Sequence, residues 1–315
     1  MCEVISIADC QIPSREDAGH KGTFGRAFII AGSVGMSGAA CLAGKAALRG
    51  GAGLVTVMVP QSIQSIVAAY EPSYMTVGFE AADRSFEDLL LGQDDAVASC
   101  LKSVWGNQDV VAIGPGLGQS LEAKQLVQCA LLESPCPVIL DADALNLCAD
   151  QELLAEQPAT DSVSVSRIVT PHPGEFAKMT GQSIADIQAD RTRSAQQFAK
   201  QHQLVVVLKG AQTVVADESR VYVNDTGNSG LATGGSGDVL TGLLAAMMAQ
   251  GVPAFDAACV AVWLHGTAGD FAAEASSREA MIASDLPRYF GDAWRKLRVT
   301  FMWISNYDSR CASSQ

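Results

Sequence analysis

The chain has 315 residues, of which 48% are hydrophobic and 17% charged, and its formal net charge at pH 7 is −13. These values are typical of a globular protein with a large core, arranged as one large α/β domain or two small ones. The strong negative charge argues against nucleic acid or an anionic membrane surface as a partner, because either would require a basic face. The nine cysteines include no C-x-x-C pair, which argues against a disulfide framework or a zinc site.

Short apolar runs alternate with helical patterns along most of the chain. Strands are predicted at residues 27–31, 54–59, 110–113, 138–140, 168–170, 204–208, 213–216 and 221–223, the last two as a hairpin. Helices are predicted near residues 38–48, 61–69, 120–132, 185–201, 239–250 and 254–275. Continuous β-branched strands separated by helices indicate a mostly parallel sheet covered on both faces. No linker or internal repeat divides this pattern, so a single domain over residues 1–298 is predicted.

Three segments lie outside that alternation. Residues 80–103 and 158–166 are polar and are expected to be surface excursions. Residues 299–315 contain Phe301, Met302 and Trp303 before a polar end, and are interpreted either as an extra edge strand or as a poorly ordered tail. No basic segment followed by an apolar one marks a signal peptide, and no apolar run reaches the ~18 residues that span a bilayer, so a cytoplasmic location is predicted.

The stretch Asn228-Ser-Gly-Leu-Ala-Thr-Gly-Gly-Ser-Gly-Asp238 precedes an apolar helical pattern. A glycine-rich turn that opens a helix surrounds an anion with free backbone N–H groups and the positive end of the helix dipole. Gly234, Gly235 and Gly237 would allow close approach of a polyphosphate and positive φ angles. Asp238, in the first turn, is suited to act as a base toward an attacking hydroxyl rather than to bind phosphate. The alternative is an Asp that only caps the helix, but four glycines before it favour the anion site.

Other polar or glycine-rich segments follow the predicted strands, at the edge where open α/β sheets bind ligands. Gly114-Pro-Gly116-Leu-Gly118 is weak evidence for a site because such turns are common. Asp141 and Asp143 suit a divalent ion or the orientation of a sugar, although Asp143 is equally suited to capping the next helix.

Two further segments carry charged side chains at strand ends. Two prolines constrain His172 and Glu175, which makes His172 a candidate substrate contact, rather than a surface residue in a rigid turn, and Glu175 a candidate Mg²⁺ ligand. Lys209 with Gly210 suits a phosphate or ribose contact, the alternative being an exposed hairpin lysine. Neither a Walker loop nor a Rossmann glycine fingerprint is present, so the nucleotide sites of those two classes are excluded.

These segments together resemble one known family. The matching motifs, in chain order, are His20-Lys-Gly-Thr-Phe-Gly25, Ala31-Gly-Ser, Gly38-Ala-Ala40, Gly50-Gly-Ala-Gly-Leu-Val, Gly114-Pro-Gly-Leu-Gly118, Asp141-Ala-Asp-Ala-Leu-Asn146, Thr170-Pro-His-Pro-Gly-Glu175, Lys209-Gly-Ala-Gln-Thr213 and Gly234-Gly-Ser-Gly-Asp238. The chain resembles the NAD(P)H-hydrate dehydratases of the ribokinase-like superfamily over about residues 16–297. The resemblance implies a three-layer α/β/α sandwich with a mostly parallel central sheet.

The resemblance also implies a repair reaction, catalysed by a carbon–oxygen hydro-lyase. A nucleotide, ADP (giving AMP) or ATP (giving ADP), would phosphorylate the ring hydroxyl of the S-epimer of NADH hydrate or NADPH hydrate. Loss of phosphate would then restore NADH or NADPH. Mg²⁺, a separate hydrate epimerase in the same pathway and a homotetrameric assembly are further implications. The epimerase domain often joined to the family is not evident here, which suggests a stand-alone dehydratase.

Residue roles carried over from the family fall on matching positions. Asp238 would be the catalytic base and would contact the hydrate, with Gly237 completing the catalytic pair in the anion hole. Ala40, Gly116 and His172 would contact the hydrate, and Glu175 would serve Mg²⁺, although the superfamily pattern has Asn where His172 stands. The nucleotide would be bound by two segments: Lys209, Gly210, Ala211, Gln212 and Thr213, and Gly234, Gly235, Ser236 and Gly237.

Two rival functions are compatible with parts of this pattern. A kinase of a small alcohol would also use Asp238 and the anion loop, but the segment from Thr170 to Glu175 favours the dehydratase. A regulatory protein that senses nucleotides without catalysis is disfavoured because Gly237 and Asp238 are both intact.

Overall fold

The computed structural model describes residues 3–80, 101, 103–150, 153–155 and 166–312. The surface segments predicted at 80–103 and 158–166 lie largely outside these residues.

Ten strands of the described chain form one sheet. Their bounds are β1 Glu3–Val4, β2 Arg26–Ile30, β3 Leu54–Pro60, β4 Met75–Phe79, β5 Val110–Ile113, β6 Val138–Leu140, β7 Arg167–Val169, β8 Val205–Leu208, β9 Val214–Ala216 and β10 Arg220–Val223. The order across the sheet is β1-β10-β9-β8-β7-β6-β5-β2-β3-β4. The strands from β8 to β4 in this order run parallel, whereas β9 pairs antiparallel with both β8 and β10. The predicted parallel sheet and the hairpin are therefore confirmed.

The α-helices of the described chain connect most of these strands, and the last three follow β10. They are α1 Ser37–Gly50, α2 Gln61–Tyr70, α3 Leu121–Glu133, α4 Asp143–Asp150, α5 Pro173–Thr180, α6 Ile184–Ala189, α7 Arg191–His202, α8 Ser236–Ala249, α9 Ala254–Ala275 and α10 Leu286–Ala312. None of the helices in the described ranges is long and apolar enough to cross a membrane.

Successive residues of each strand face opposite sides of the sheet, and this produces two separate cores. In β2, Ala27 and Ile29 pack with α1, α8, α9 and α10, whereas Phe28 and Ile30 pack on the other side with α3, α4, α5 and α7. A strand with apolar side chains on both faces must be covered on both faces. The result is the three-layer arrangement expected from the sequence.

Three differences from the predicted elements have local physical causes. The helix predicted at 185–201 is two helices, because Asp190 leaves the helical conformation and accepts a hydrogen bond from the Arg193 N–H as the cap of α7. Strands β1 and β4 lie at the two edges of the sheet and were missed because β1 has only two residues and Thr76 and Gly78 interrupt the apolar residues of β4. The predicted tail does not form an edge strand, since α10 continues through residues 299–312 and so crosses the proposed domain end at 298.

Four parallel neighbours, β5, β6, β7 and β8, end at the same edge of the sheet. Ile113 pairs with Leu140, and Leu140 pairs with Val169, so the residues that follow are brought side by side. Those residues are Gly114, Asp141, Thr170 and Lys209. The edge where they meet is the one at which open α/β sheets bind ligands.

Candidate active site

The predicted anion loop opens α8. Gly235 is the N-terminal cap of this helix with φ of +90°, where a Cβ would also lie 2.5 Å from a methyl carbon of Leu42. Gly234 and Gly237 were expected to share the positive φ but do not. Gly237 lies within the first turn of α8, and a Cβ there would stand 3.4 Å from the Lys209 ammonium. Its lack of a side chain therefore matters for close approach rather than for backbone conformation.

Asp238 lies in the first turn of α8, with a half-buried side chain. Burial, together with the nearby carboxylates of Asp141 and Asp143, raises the pKa of its carboxyl to about 7 against the opposing effect of Lys209. A carboxyl with this pKa is divided between its two protonation states near neutral pH, which is the condition that suits a general base.

Asp141 is the centre of a buried hydrogen-bond network. Its carboxylate is 1% exposed and accepts hydrogen bonds from Thr170 Oγ1, Lys209 Nζ and Thr241 Oγ1, each at 2.7 Å. Because this carboxylate is buried and both of its oxygens bond to protein groups, Asp141 does not present a free face to a metal or a sugar. It fixes Lys209 instead.

Lys209 is consequently not an exposed hairpin lysine. Its side chain is 20% exposed, and its ammonium lies 2.7 Å from Asp141 and 3.9 Å from Glu175. Burial opposes the charge on Lys209, but these two carboxylates outweigh it and raise the pKa of the ammonium. A permanent positive charge therefore lies beneath Gly237, where an anion loop requires one.

His172 and Glu175 form a reciprocal cap at the start of α5. His172 Nδ1 accepts hydrogen bonds from the Gly174 and Glu175 N–H groups at 3.0 and 3.1 Å, and Glu175 Oε2 accepts one from the His172 N–H at 2.7 Å. The acceptor role of Nδ1 places the ring proton on Nε2. Nε2 lies 3.4 Å from Glu175 Oε1, but the His172 side chain remains 57% exposed, so a face of the ring is available to a ligand.

Asp143 holds a neighbouring loop rather than a divalent ion. Its carboxylate accepts hydrogen bonds from the Gly118 N–H at 2.8 Å and from the Gln119 side chain at 3.2 Å. Within this loop Gly114 must be glycine, because its φ is +126° and a Cβ would lie 1.9 Å from the Asp141 carbonyl oxygen. Asp143 thus ties the loop of residues 114–118 to the start of α4, close to Asp238.

A cavity of about 660 Å³ opens beside the anion loop. The predicted site residues that line it are His172, Lys209, Gly210, Ala211, Gln212, Thr213, Ser236 and Gly237. Gly234, Gly235 and Asp238 are not among the lining residues. The two glycines shape the loop from outside the cavity, and Asp238 directly follows the lining residue Gly237. The two segments proposed for nucleotide binding, separate in sequence, are therefore brought to one cavity.

The remaining predicted contacts lie beside the loop of residues 114–118. Gly116 adopts φ of +59°, and a Cβ there would lie 2.8 Å from the Ala39 Cβ at the start of α1. Ala40 is completely buried and faces Gly32, so its side chain has no surface to offer a ligand in this conformation. The 660 Å³ cavity is lined by neither residue, so the proposed hydrate contacts do not all share the nucleotide cavity.

Sequence reasoning missed two parts of the cavity wall. The loop of residues 224–227 lines it, and the signal was its polar and glycine-rich composition directly after β10. His265 of α9 also lines it, with Nε2 3.0 Å from the Ser236 carbonyl oxygen. Burial lowers the pKa of His265 to about 4, so the ring is neutral at pH 7 and supports the anion loop by hydrogen bonding alone. A lone histidine in an apolar helix gave no signal in the sequence.

Comparisons with known proteins agree with this geometry. The sequence model of the NAD(P)H-hydrate dehydratase family matches residues 27–290. The chain is 37% identical over 292 residues to the ADP-dependent (S)-NAD(P)H-hydrate dehydratase of Neisseria meningitidis, covering 91% of this chain and 90% of that one. The ADP/ATP-dependent NAD(P)H-hydrate dehydratase of Bacillus subtilis, co-crystallised with ATP and Mg²⁺, superposes with a TM-score of 0.76 at 32% identity, covering 94% of this chain and 99% of that one. This chain belongs to the NAD(P)H-hydrate dehydratase family, and its expected ribokinase-like fold is confirmed.

Some relatives are longer. The chain is 42% identical over 280 residues to the bifunctional NAD(P)H-hydrate repair enzyme of Moorella thermoacetica, covering 88% of this chain but 50% of that protein. The chain therefore spans about half the length of the bifunctional relatives that it matches.

Proposed function

We propose that this chain catalyses the nucleotide-dependent dehydration of the S-epimer of NADH hydrate and NADPH hydrate. ADP would give AMP, or ATP would give ADP, and each turnover would release phosphate and restore NADH or NADPH. The observation that carries the proposal is the position of Asp238, a carboxyl with a pKa of about 7 that directly follows Gly237, the anion-loop residue on the wall of a nucleotide-sized cavity.

The chemistry follows from the charges at the site. Ionised Asp238 would take the proton from the ring hydroxyl of the hydrate as the hydroxyl oxygen attacks the terminal phosphorus of the nucleotide. The N–H groups at the start of α8 and the Lys209 ammonium would stabilise the negative charge on the transferred group. Phosphate then leaves with the C–O electron pair, assisted by the ring nitrogen lone pair, and is a far better leaving group than hydroxide. Loss of the proton on the neighbouring ring carbon to water then restores the carbon–carbon double bond.

The two ligands would occupy adjacent surfaces. Residues 209–213, together with Ser236 and Gly237, would bind the nucleotide, with Gly234 and Gly235 setting the shape of the loop. His172 would present the exposed face of its ring to the hydrate, and Gly116 would approach the hydrate from the loop tied down by Asp143. Ala40 remains part of the proposal, as a residue that shapes the surface beneath Gly116 rather than as a side-chain contact.

Mg²⁺ would neutralise charge on the nucleotide phosphates. Within the described ranges no group of three or more His, Cys, Asp or Glu side chains is arranged to hold a metal ion. Glu175 is the proposed protein contact, but one of its oxygens already accepts the His172 N–H and lies 3.9 Å from the Lys209 ammonium. Mg²⁺ commonly keeps several waters and binds one or two carboxylates together with substrate phosphates, so the contact with Glu175 is proposed to be water-mediated.

Turnover with purified substrate tests the proposal. The chain is incubated with S-NADH hydrate and either ADP or ATP, and recovery of NADH and release of phosphate are followed together. Stoichiometric appearance of both with at least one nucleotide is expected, and we favour ADP. Transfer of phosphate to a small alcohol without recovery of NADH would instead establish a kinase, and nucleotide binding without turnover would establish a regulatory protein. A cytoplasmic location, a homotetramer and a separate hydrate epimerase in the same pathway stay predictions.

A further inference from the structure

Arg191, the first residue of α7, lies directly behind the segment of residues 209–213. Its Nη2 donates a hydrogen bond to the Leu208 carbonyl oxygen at 2.7 Å, and its Nη1 donates one to the Ala211 carbonyl oxygen at 2.9 Å. One rigid, planar guanidinium therefore joins the two ends of the turn that follows β8. The turn between these carbonyls contains Lys209 and Gly210, both of which line the cavity.

Gly210 shows how closely the guanidinium fits this turn. Gly210 has a φ of +146°, and a Cβ built on it would lie 2.6 Å from Nη1 of Arg191. The guanidinium thus fills the space that any side chain at position 210 would need. Arg191 therefore explains the glycine in this motif from one side, and the cavity lies on the other.

The charge of Arg191 is not neutralised by these contacts. Both Nη atoms bond to carbonyl oxygens, and Nε is buried without a hydrogen-bond partner among the described residues. Burial lowers the pKa of the guanidinium, but an arginine remains charged at neutral pH. A half-buried cation behind a wall of the cavity makes that wall more favourable for an anion.

We infer that Arg191 is a positioning residue for the nucleotide, which holds the turn of residues 208–211 in its binding conformation and adds positive charge behind it. The inference rests on the proposed function and deepens it. A turn held in the bound conformation before the ligand arrives reduces the ordering cost of binding. Arg191 does not line the cavity itself, so it acts through Lys209 and Gly210 rather than by touching the ligand.

Isothermal titration of ADP and of ATP into the purified chain tests the inference without turnover. Arg191→Met is expected to raise the nucleotide Kd by about tenfold or more, since two charged hydrogen bonds to the turn are lost. Arg191→Lys keeps the charge but lacks the rigid planar fork that joins the two carbonyls, so its Kd should fall between those of the wild type and Arg191→Met. This milder variant also serves if Arg191→Met does not fold. In steady-state assays the KM for nucleotide should rise more than the KM for the hydrate.

Arg167 provides a matched control. It too is a partly buried arginine that donates to a carbonyl, from Nη2 to His202 O at 3.2 Å, and it has one buried nitrogen without a partner in the described chain. It begins β7 and so lies at the opposite end of the sheet from the site. Arg167→Met should lower thermal stability while leaving the nucleotide Kd unchanged.

The outcomes separate the inference from the proposed function. An unchanged Kd in Arg191→Met, or an equal rise of Kd in Arg191→Met and Arg167→Met, would overturn the positioning role while the proposed function stands. A wild-type chain that binds neither ADP nor ATP would remove the proposed function first, and the inference with it.

Discussion

At the scale of single residues, the site depends on a carboxyl kept partly protonated and an ammonium kept fully charged. Burial and two neighbouring carboxylates raise the pKa of Asp238 to about 7, whereas the same neighbourhood holds the charge on Lys209. A proton transfer next to a phosphate needs one group that can accept a proton and another group that keeps its positive charge. The residue proposed as base and the one proposed as anion ligand are thus distinguished by their surroundings.

Asp238→Asn is expected to abolish most turnover while leaving nucleotide binding nearly intact. Loss of a general base typically costs ~10²–10⁴ in rate, and Asn cannot accept the hydroxyl proton. Turnover of S-NADH hydrate and titration of ADP are measured on the same preparation. A variant that keeps more than about half of the wild-type rate would remove Asp238 from the mechanism.

Thermal stability supplies the control for that variant. The folded-state pKa of Asp238, about 7, lies above its ordinary value of 3.8. The contribution of this carboxyl to protein stability is therefore fully present below about pH 4 and is lost as the pH rises to about 7. Asn has no charge to bury. The variant should therefore be at least as stable as the wild type at pH 8, and a large fall in Tm there would point to misfolding rather than to a lost base.

The pH dependence of kcat/KM for the hydrate is a second prediction. Because only ionised Asp238 can accept the proton, kcat/KM should rise with pH through an inflection near 7, the pKa of the carboxyl in the free protein. Initial rates measured between about pH 5.5 and about pH 9, at a fixed low concentration of hydrate, give the pH dependence of kcat/KM on both sides of this inflection. A profile with its inflection near 4, the ordinary range of a carboxyl, would contradict the assignment.

The sequence identified the residues that are proposed to touch the ligand. It did not identify the residues that hold those side chains in position. Asp238 and Lys209 stand beside glycines, a local pattern with a direct chemical meaning. The role of Asp141 depends on which strands are neighbours, since its three partners follow β7, follow β8 and lie on α8. Arg191 and His265 act through backbone carbonyls on distant segments, so no local pattern marks them.

At the scale of elements, the Asp141 network joins three strand ends to one helix. The carboxylate follows β6 and bonds to residues that follow β7 and β8, and to Thr241 within α8. The position of α8 against the sheet, and with it the anion loop, is therefore coupled to the charge on Lys209. Breaking a buried ion pair from one side leaves an uncompensated charge, which is strongly destabilising.

Asp141→Ala is expected to lower the free energy of unfolding by about 3–5 kcal/mol, because the Lys209 ammonium would lose its closest counterion. Urea unfolding measures the change. The matched control is Asp150→Ala, which removes an ion pair to Lys178 at 3.8 Å between side chains that are 59% and 54% exposed. That change should cost less than about 1 kcal/mol. Equal effects of the two substitutions would contradict a structural role for the buried network.

Element prediction succeeded where apolar runs were continuous and failed where other forces decide. The core strands β2, β3, β5 and β8 were all predicted because both faces of each are apolar. The break between α6 and α7 was not, because helical spacing continues through it and only the capping carboxylate of Asp190 ends the first helix. The edge strand β4 is half exposed, and Thr76 and Gly78 interrupt its apolar residues.

At the scale of the whole molecule, a net charge of −13 must be reconciled with a polyphosphate ligand. The described site does so with local devices: the start of α8, the Lys209 ammonium and, by our inference, the Arg191 guanidinium. The overall architecture was predictable because nine short motifs occur in one order. The C-terminal segment was not, because no motif falls within it and its composition suits a strand, a helix or a coil.

The last prediction concerns that segment. The buried side chains of α10 include Leu286, Phe290, Ala293 and Leu297, and Phe301 packs partly against the same core. Truncation after Phe301 keeps all of these contacts, and every proposed site residue lies between positions 40 and 238. The shortened chain should therefore retain the wild-type kcat, hydrate KM and nucleotide Kd, measured as for the full chain.

A second, shorter truncated chain tests the predicted contribution of these buried side chains to stability. Truncation after Lys296 also removes Leu297 and Phe301, so it should cost about 2–5 kcal/mol of stability, the usual range for loss of a large buried apolar side chain. Its catalytic constants should still match those of the full chain once the folded fraction is taken into account. Residues 302–315 would have a direct part in the site if the longer truncated chain stayed folded by circular dichroism yet could not dehydrate NADH hydrate.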